Sequence, residues 1–326
     1  MKLLIVKTSS MGDVVHALPV VNDIRRHHPH AEIDWLVEAP FAAIPQMHPG
    51  VRRVLPMAWR KWRSQLLQAA TWHAMGRLRD ELRRGRYEAV LDLQGLLKSA
   101  LWARQTGAPV LGYDKNSIRE PAATWFYQHK LAVPRDLQAV QRCRLLAAAH
   151  LGYLIDSPPD FGLRAPATIW TPHAAYAVLI PNASRREKLW PERHWVEVGK
   201  RLQERGWMPV VLWGRPEEQT LAERIAAGCD GDVPSFLRVG ELAAVLAGAH
   251  QVRRWAGPRW ASIATTNPAW RASPAPGAWP ASVARARCLA ATRCWRCWNS
   301  RSAAEPTDQA EPITRRRAFA WGSCPS

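Results

Sequence analysis

Cysteine is scarce where the chain looks globular: the first 250 residues hold only Cys143 and Cys229. Two thiols cannot make a disulfide framework, which excludes a small secreted scaffold and fits a reducing compartment. Long apolar runs are missing as well. The opening Met1-Lys2-Leu3-Leu4-Ile5-Val6-Lys7 turns polar at once, so neither a signal peptide nor a membrane span is expected, and the expected location is cytoplasmic.

Residues 251–326 lack other things. They contain no Lys, three acids, one Leu, two Ile, two Val and one Phe, against twelve Arg, seven of the 18 Trp and four of the six Cys. Half of the formal net charge of +18 therefore sits in less than a quarter of the chain. So few aliphatic side chains cannot build a packed layer, and the composition is that of a low-order segment. The change near Gln251 is abrupt, the pattern left by a reading-frame shift in a GC-rich gene. Arginine-rich surface can also neutralise phosphates, but no nucleic-acid motif accompanies it, and no nucleic-acid partner is expected. Cys294 and Cys297 form a C-x-x-C with neither a second pair nor a His cluster, so no metal site is expected.

What is present is the length for two packed units and an alternation of strands and helices. Leu3-Leu4-Ile5-Val6 suits a strand buried on both faces of a parallel sheet. After a loop with Gly12, the apolar residues Val14, Val15, Leu18, Val21 and Ile24 recur at helical spacing, with Pro19 weakening that helix by one lost donor. Ile33–Val37, Val54-Leu55 and Ala89–Asp92 read as further strands. The fold class expected is α/β, doubly wound. Residues 1–156 form the first unit, the proline-rich 157–175 a linker, and 176–250 a partial second unit. That unit has strands at Tyr176–Ile180 and Val210–Leu212, and helices from Pro191 to Gly206, Glu217 to Ala227 and Glu241 to Ala249. Residues 251–326 form the aberrant tail.

Several turns carry chemistry. Lys7-Thr8-Ser9-Ser10-Met11-Gly12-Asp13 puts hydroxyls, a flexible backbone and a carboxylate at the carboxyl end of the first strand, the ligand edge of open α/β sheets; Asp13 would serve equally as a helix cap. Trp59-Arg60-Lys61-Trp62-Arg63 combines three cations with two aromatics, suited to phosphorylated or acidic sugars or to a solvated face. Asp92-Leu93-Gln94-Gly95-Leu96-Leu97-Lys98-Ser99 closes one strand and opens a helix. Asn182-Ala183-Ser184 through Lys188 and Trp190 offers donors for a diphosphate, or ordinary loop chemistry. Glu218, near Trp213-Gly214, could accept from ribose hydroxyls or start a surface helix.

Taken together these segments resemble the lipopolysaccharide heptosyltransferases of glycosyltransferase family 9. The run Leu4 to Val14 is similar to the family's opening signature almost residue for residue. Arg60–Arg63, Asp92–Ser99, Arg119-Glu120-Pro121, and Lys188 with Trp190-Pro191-Glu192 follow in the family's order. The resemblance implies a glycosyltransferase B-type fold of two Rossmann-like domains. It implies inverting transfer of L-glycero-D-manno-heptose from ADP-heptose to the Kdo of an inner-core acceptor such as Kdo2-lipid A, without a cofactor and in peripheral contact with the inner membrane. Asp13 would be the general base. Gly12, Ser184, Lys188 and Glu218 would bind the donor, and Ser10, Arg60, Lys61, Arg63, Lys98 and Arg119 the acceptor. A related transferase acting on another inner-core position is the alternative, with a nonenzymatic nucleic-acid binder far behind.

The departures are specific. A Thr-Thr pair of the family is replaced by Ala183-Ser184, Gln138 to Arg142 keeps only the Arg of a His-x-x-Glu-Arg-like pattern, and no Asp-Thr-Gly-x-x-His stretch follows Val252. The expectation is therefore weak or absent turnover by this chain.

Overall fold

The computed structural model describes residues 1–167, 170, 172, 174–183, 189–255 and 260–264. Two sheets organise them. The first comprises β1 (Lys2–Val6), β2 (Glu32–Glu38), β3 (Arg53–Met57), β4 (Ala89–Asp92), β5 (Val110–Tyr113) and β6 (His129–Leu131), in the order β3-β2-β1-β4-β5-β6. Every pairing in it is parallel. This is the doubly wound order, with its reversal point between β1 and β4.

Central burial explains the apolar runs. Leu3, Leu4, Ile5 and Val6 are all fully buried, because helices cover both faces; each such side chain contributes about 1.5–3 kcal/mol relative to exposure. The helices are α1 (Met11–Ala17), α2 (Pro19–His27), α3 (Ala43–Gln46), α4 (Trp59–Trp62), α5 (Ala69–Arg84), α6 (Leu97–Arg104) and α7 (Ala139–Leu151). The periodicity from Val14 to Ile24 is broken into two helices rather than weakened within one. Pro19 occupies the first turn of α2, where its missing donor leaves nothing unsatisfied. Between α2 and α7 the Arg144 guanidinium grips Asp23 through two bonds of 2.7 and 2.8 Å, a buried pair that locks helices distant in sequence.

The second sheet, in the order β10-β9-β7-β8, contains β7 (Tyr176–Ile180), β8 (Met208–Val211), β9 (Gln251–Trp255) and β10 (Trp260–Ala264). β7 pairs in parallel with both β8 and β9, and β10 runs antiparallel to β9. α8 (Glu192–Gln203), α9 (Pro216–Gly228) and α10 (Val239–Gly248) connect them, and a parallel bridge between Val210 and Asp232 extends the β8 edge. Two strands thus lie beyond residue 250. Backbone hydrogen bonding to β7 recruits Gln251–Trp255 although its side-chain pattern is not that of a central strand, and Val252 is buried.

Part of the expected linker belongs to the first unit. Ser157 O accepts from Arg144, Asp160 O from Asn22, and Met47 O from the Arg164 amide, while Phe161 and Leu163 pack on the first core. Gly162 crosses above His48 at φ +59°, and a Cβ there would lie 2.3 Å from the imidazole Nε2. Only glycine lets the strap pass so close.

Candidate active site

The reversal point is where a doubly wound sheet leaves a crevice at the carboxyl ends of its strands. Here that crevice lies between the turn after β1 and the turn after β4. The first turn enters α1 through a capping box: Asp13 Oδ2 accepts from the Ser10 amide at 2.8 Å and from Ser10 Oγ at 3.0 Å. The capping reading of Asp13 is therefore realised, and among the described residues it engages one carboxylate oxygen. A Cβ built on Gly12 would meet nothing within 4 Å, so the turn is open on that side.

Gln94 of the second turn holds the first. Its Oε1 accepts from the Thr8 amide at 2.8 Å and the Ser9 amide at 3.0 Å. Gln94 is itself aimed by Asp92, whose Oδ1 accepts from the Gln94 and Gly95 amides while Oδ2 accepts from Ser99 Oγ and Tyr127 Oη. Burial raises the pKa of Asp92 from its ordinary carboxyl value, opposed by these four donors. Lys7 is buried and donates from Nζ to Leu93 O at 2.8 Å. The two turns are thus clamped together in a water-poor base.

Lys98 reaches into the same place. Its Nζ lies 3.3 Å from Ser9 Oγ and 3.4 Å from Glu38 Oε1, and Glu38 is 1% exposed at the end of β2. Ser9, Ser10, Asp13 and Lys98 therefore share one edge, as the sequence motifs require. Glu38 and the acceptor role of Gln94 were not singled out from the sequence. A carboxylate closing the buried run of β2, and an amide inside the Asp92–Ser99 motif, were the signals available.

Farther along this edge, α4 follows β3 and exposes Arg60, Lys61 and Arg63. Arg60 sits 5.8 Å above the Phe41 ring, and Trp62 anchors the helix by packing 5.5 Å from Trp102. Arg119 is exposed on the loop after β5. That loop is secured by Arg142 donating to Ser117 O and Arg135 to Ile118 O, which gives Arg142 a structural task despite the loss of its motif partners. The turns after β1, β3, β4 and β5 thus bring all the acceptor-side candidates to one sheet edge.

On the second sheet, Ser184 and Lys188 fall outside the described residues. The turn preceding them is described: Asn182 donates to Leu212 O at 3.4 Å, tying the carboxyl ends of β7 and β8. Trp190 stacks on His194 at 4.8 Å. Glu218 opens α9, where Oε2 accepts from the Gly214 and Arg215 amides and Oε1 from the Arg215 guanidinium. It is a helix-start residue, and any ribose contact would share Oε1 with Arg215. Among the described residues no cluster of three or more His, Cys, Asp or Glu could hold a metal ion, and no helix is long and apolar enough to cross a membrane.

A doubly wound domain with a polar, carboxylate-bearing reversal point, joined to a second Rossmann-type sheet, has the build of a glycosyltransferase of the B type. Comparison with known proteins is specific. Residues 75–252 match the family model described as glycosyltransferase family 9 (heptosyltransferase). Lipopolysaccharide heptosyltransferase 1 of Pseudomonas aeruginosa is 42% identical over 253 residues, covering 76% of this chain and 71% of the relative. The same-named protein of Escherichia coli K12 is 39% identical over 256 residues, 76% of this chain and 80% of the relative. Among solved structures, E. coli heptosyltransferase WaaC with ADP-2-deoxy-2-fluoro heptose superposes with a TM-score of 0.72 at 37% identity, covering 77% of this chain and 82% of that one. The chain belongs to glycosyltransferase family 9, the heptosyltransferases.

Proposed function

We propose that the chain carries the machinery to transfer L-glycero-D-manno-heptose from ADP-heptose to the Kdo of a lipopolysaccharide inner-core acceptor, with inversion. The observation that carries this reading is Asp13 at the reversal point, one oxygen spent on the Ser10 cap and Oδ1 without a hydrogen bond among the described residues. The cap fixes the carboxylate, and the remaining oxygen takes the proton from the attacking acceptor hydroxyl. The new bond forms between that hydroxyl oxygen and the anomeric carbon. The carbon–phosphate oxygen bond breaks on the opposite face, and ADP leaves with the electron pair.

Lys188 and Ser184, with Gly12, would steady the charge that develops on the departing diphosphate. Glu218 would meet the ribose. Ser10, Lys98, Arg60, Lys61, Arg63 and Arg119 would hold the acceptor's carboxylates and phosphates, the guanidinium forks supplying bidentate geometry. Because that acceptor is lipid-anchored, the enzyme would work in peripheral contact with the cytoplasmic face of the inner membrane.

Asp13→Asn tests the assignment. It keeps the Ser10 cap through the amide oxygen and removes the base, so kcat is expected to fall by about 100- to 10,000-fold while ADP affinity, measured by calorimetry, stays within a few-fold. Near-normal turnover would remove Asp13 from this role.

A further inference from the structure

The segment after β3 pairs its cations, three of them assigned above to the acceptor, with apolar side chains that acceptor binding does not use. From Trp59 to Arg79 it contains Arg60, Lys61, Arg63, Arg77 and Arg79, and no acid. At its tip Leu67 is fully solvent-exposed, and Leu66 and Trp72 are 46% and 58% exposed. Such side chains normally turn inward, and three together beside a cationic stretch need a reason.

The tip is ordered by its own bonds. The Gln65, Gln68 and Thr71 amides donate in succession to Trp62, Gln65 and Gln68 carbonyls, Ser64 Oγ donates to Lys61 O, and the Trp72 indole donates to Leu66 O at 2.7 Å. Its exposure is thus built in, with the indole's polar atom satisfied and its ring left outward. Trp62 pins the base of the segment to Trp102 of α6, and on α6 Leu97 and Leu101, one turn apart, are also exposed. Exposed apolar side chains and an aromatic within one cation-rich segment match the chemistry of an anionic phospholipid interface.

We propose that the Leu66-Leu67-Trp72 tip, with Arg60, Lys61, Arg63, Arg77 and Arg79 of the same segment, inserts into an anionic bilayer surface and docks the reversal-point edge of the first sheet against the membrane. This rests on the membrane contact in the proposed function and names the surface that makes it. Docking here puts the mouth of the site at the headgroup level, where a lipid-linked sugar acid presents its hydroxyl. Apolar burial supplies adhesion, and the cations choose anionic lipid.

The test must ignore the Arg-rich residues 251–326, which could bind vesicles by themselves. In the full chain, Leu67→p-benzoylphenylalanine is photolysed with vesicles of phosphatidylethanolamine and phosphatidylglycerol. His30→p-benzoylphenylalanine, exposed ahead of β2 at the opposite sheet edge, is the control. Lipid adducts are expected at position 67 at least tenfold above position 30, and several-fold fewer in phosphatidylcholine vesicles. Equal adducts at the two positions, none at 67 while the chain sediments with vesicles, equal yield in phosphatidylcholine, or no sedimentation would each overturn the proposal. Turnover with a soluble acceptor is measured on the same protein, so failure of the transferase reading is seen apart from failure of docking.

Discussion

Gln94 fixes the backbone of Thr8 and Ser9 that leads into Asp13. Its single amide oxygen replaces the strand partner that the Thr8 and Ser9 amides would otherwise lack, and a buried amide left unpaired costs about 1–3 kcal/mol. Gln94→Met keeps the volume and loses the acceptor. It is expected to lower kcat tenfold or more with little change in donor KM, because Asp13, the proposed base, moves while the donor half does not. Gln94→Glu restores an acceptor and should recover most of that loss. Equal behaviour of the two variants in steady-state kinetics would assign Gln94 to packing alone.

The strap from Ser157 to Arg164 is the element whose role the sequence conceals. Prolines near it suggest a free connection, but three hydrogen bonds and two apolar side chains fasten it to the first unit. Gly162→Ala adds a methyl at φ +59° against His48. It should destabilise the fold by about 1–3 kcal/mol, seen in urea melts, and speed amide exchange across the strap. Unchanged exchange would place the strap outside the first unit. His48 supplies a pH signature here. Burial lowers its pKa from 6.5 to about 4, so the folded state holds it neutral. Its stabilising contribution is complete above pH 6.5 and is lost as pH falls toward 4, amounting to about 3 kcal/mol. His48→Gln should flatten the urea midpoint between pH 6.5 and 4 relative to the parent.

For the whole molecule, the second sheet matters most. Its crossover from β8 through Asp232 to β9 reproduces the first half of a doubly wound unit, but β10 returns antiparallel where another parallel strand would continue such a fold. Among the described residues the layer ends at these four strands, and proteins hold a margin of only about 5–15 kcal/mol. Weak turnover is therefore expected from the purified 326-residue chain. Grafting the corresponding C-terminal segment of a family relative after Val252 should raise kcat/KM at least a hundredfold and sharpen the thermal transition. Robust turnover by the ungrafted chain would show that residues 251–326 complete the enzyme.

Much of the fold was legible because it is local. Leu3–Val6 and Tyr176–Ile180 are short apolar runs, and Ile33–Val37 is apolar but for Asp34, as suits strands covered on both faces of a parallel sheet, and motif turns sit at the carboxyl ends of the first and last. The family, too, was written in those turns. β5 and β6 escaped notice because strands of four and three residues carry too short a pattern. What tertiary structure alone decided is which distant groups meet. Gln94 reaches Thr8 and Ser9, Lys98 reaches Glu38, and Arg144 reaches Asp23 across scores of residues. Sequence spacing determines contacts along a helix or strand, whereas strand order determines which loops share a crevice, and that order is set by packing the whole sheet.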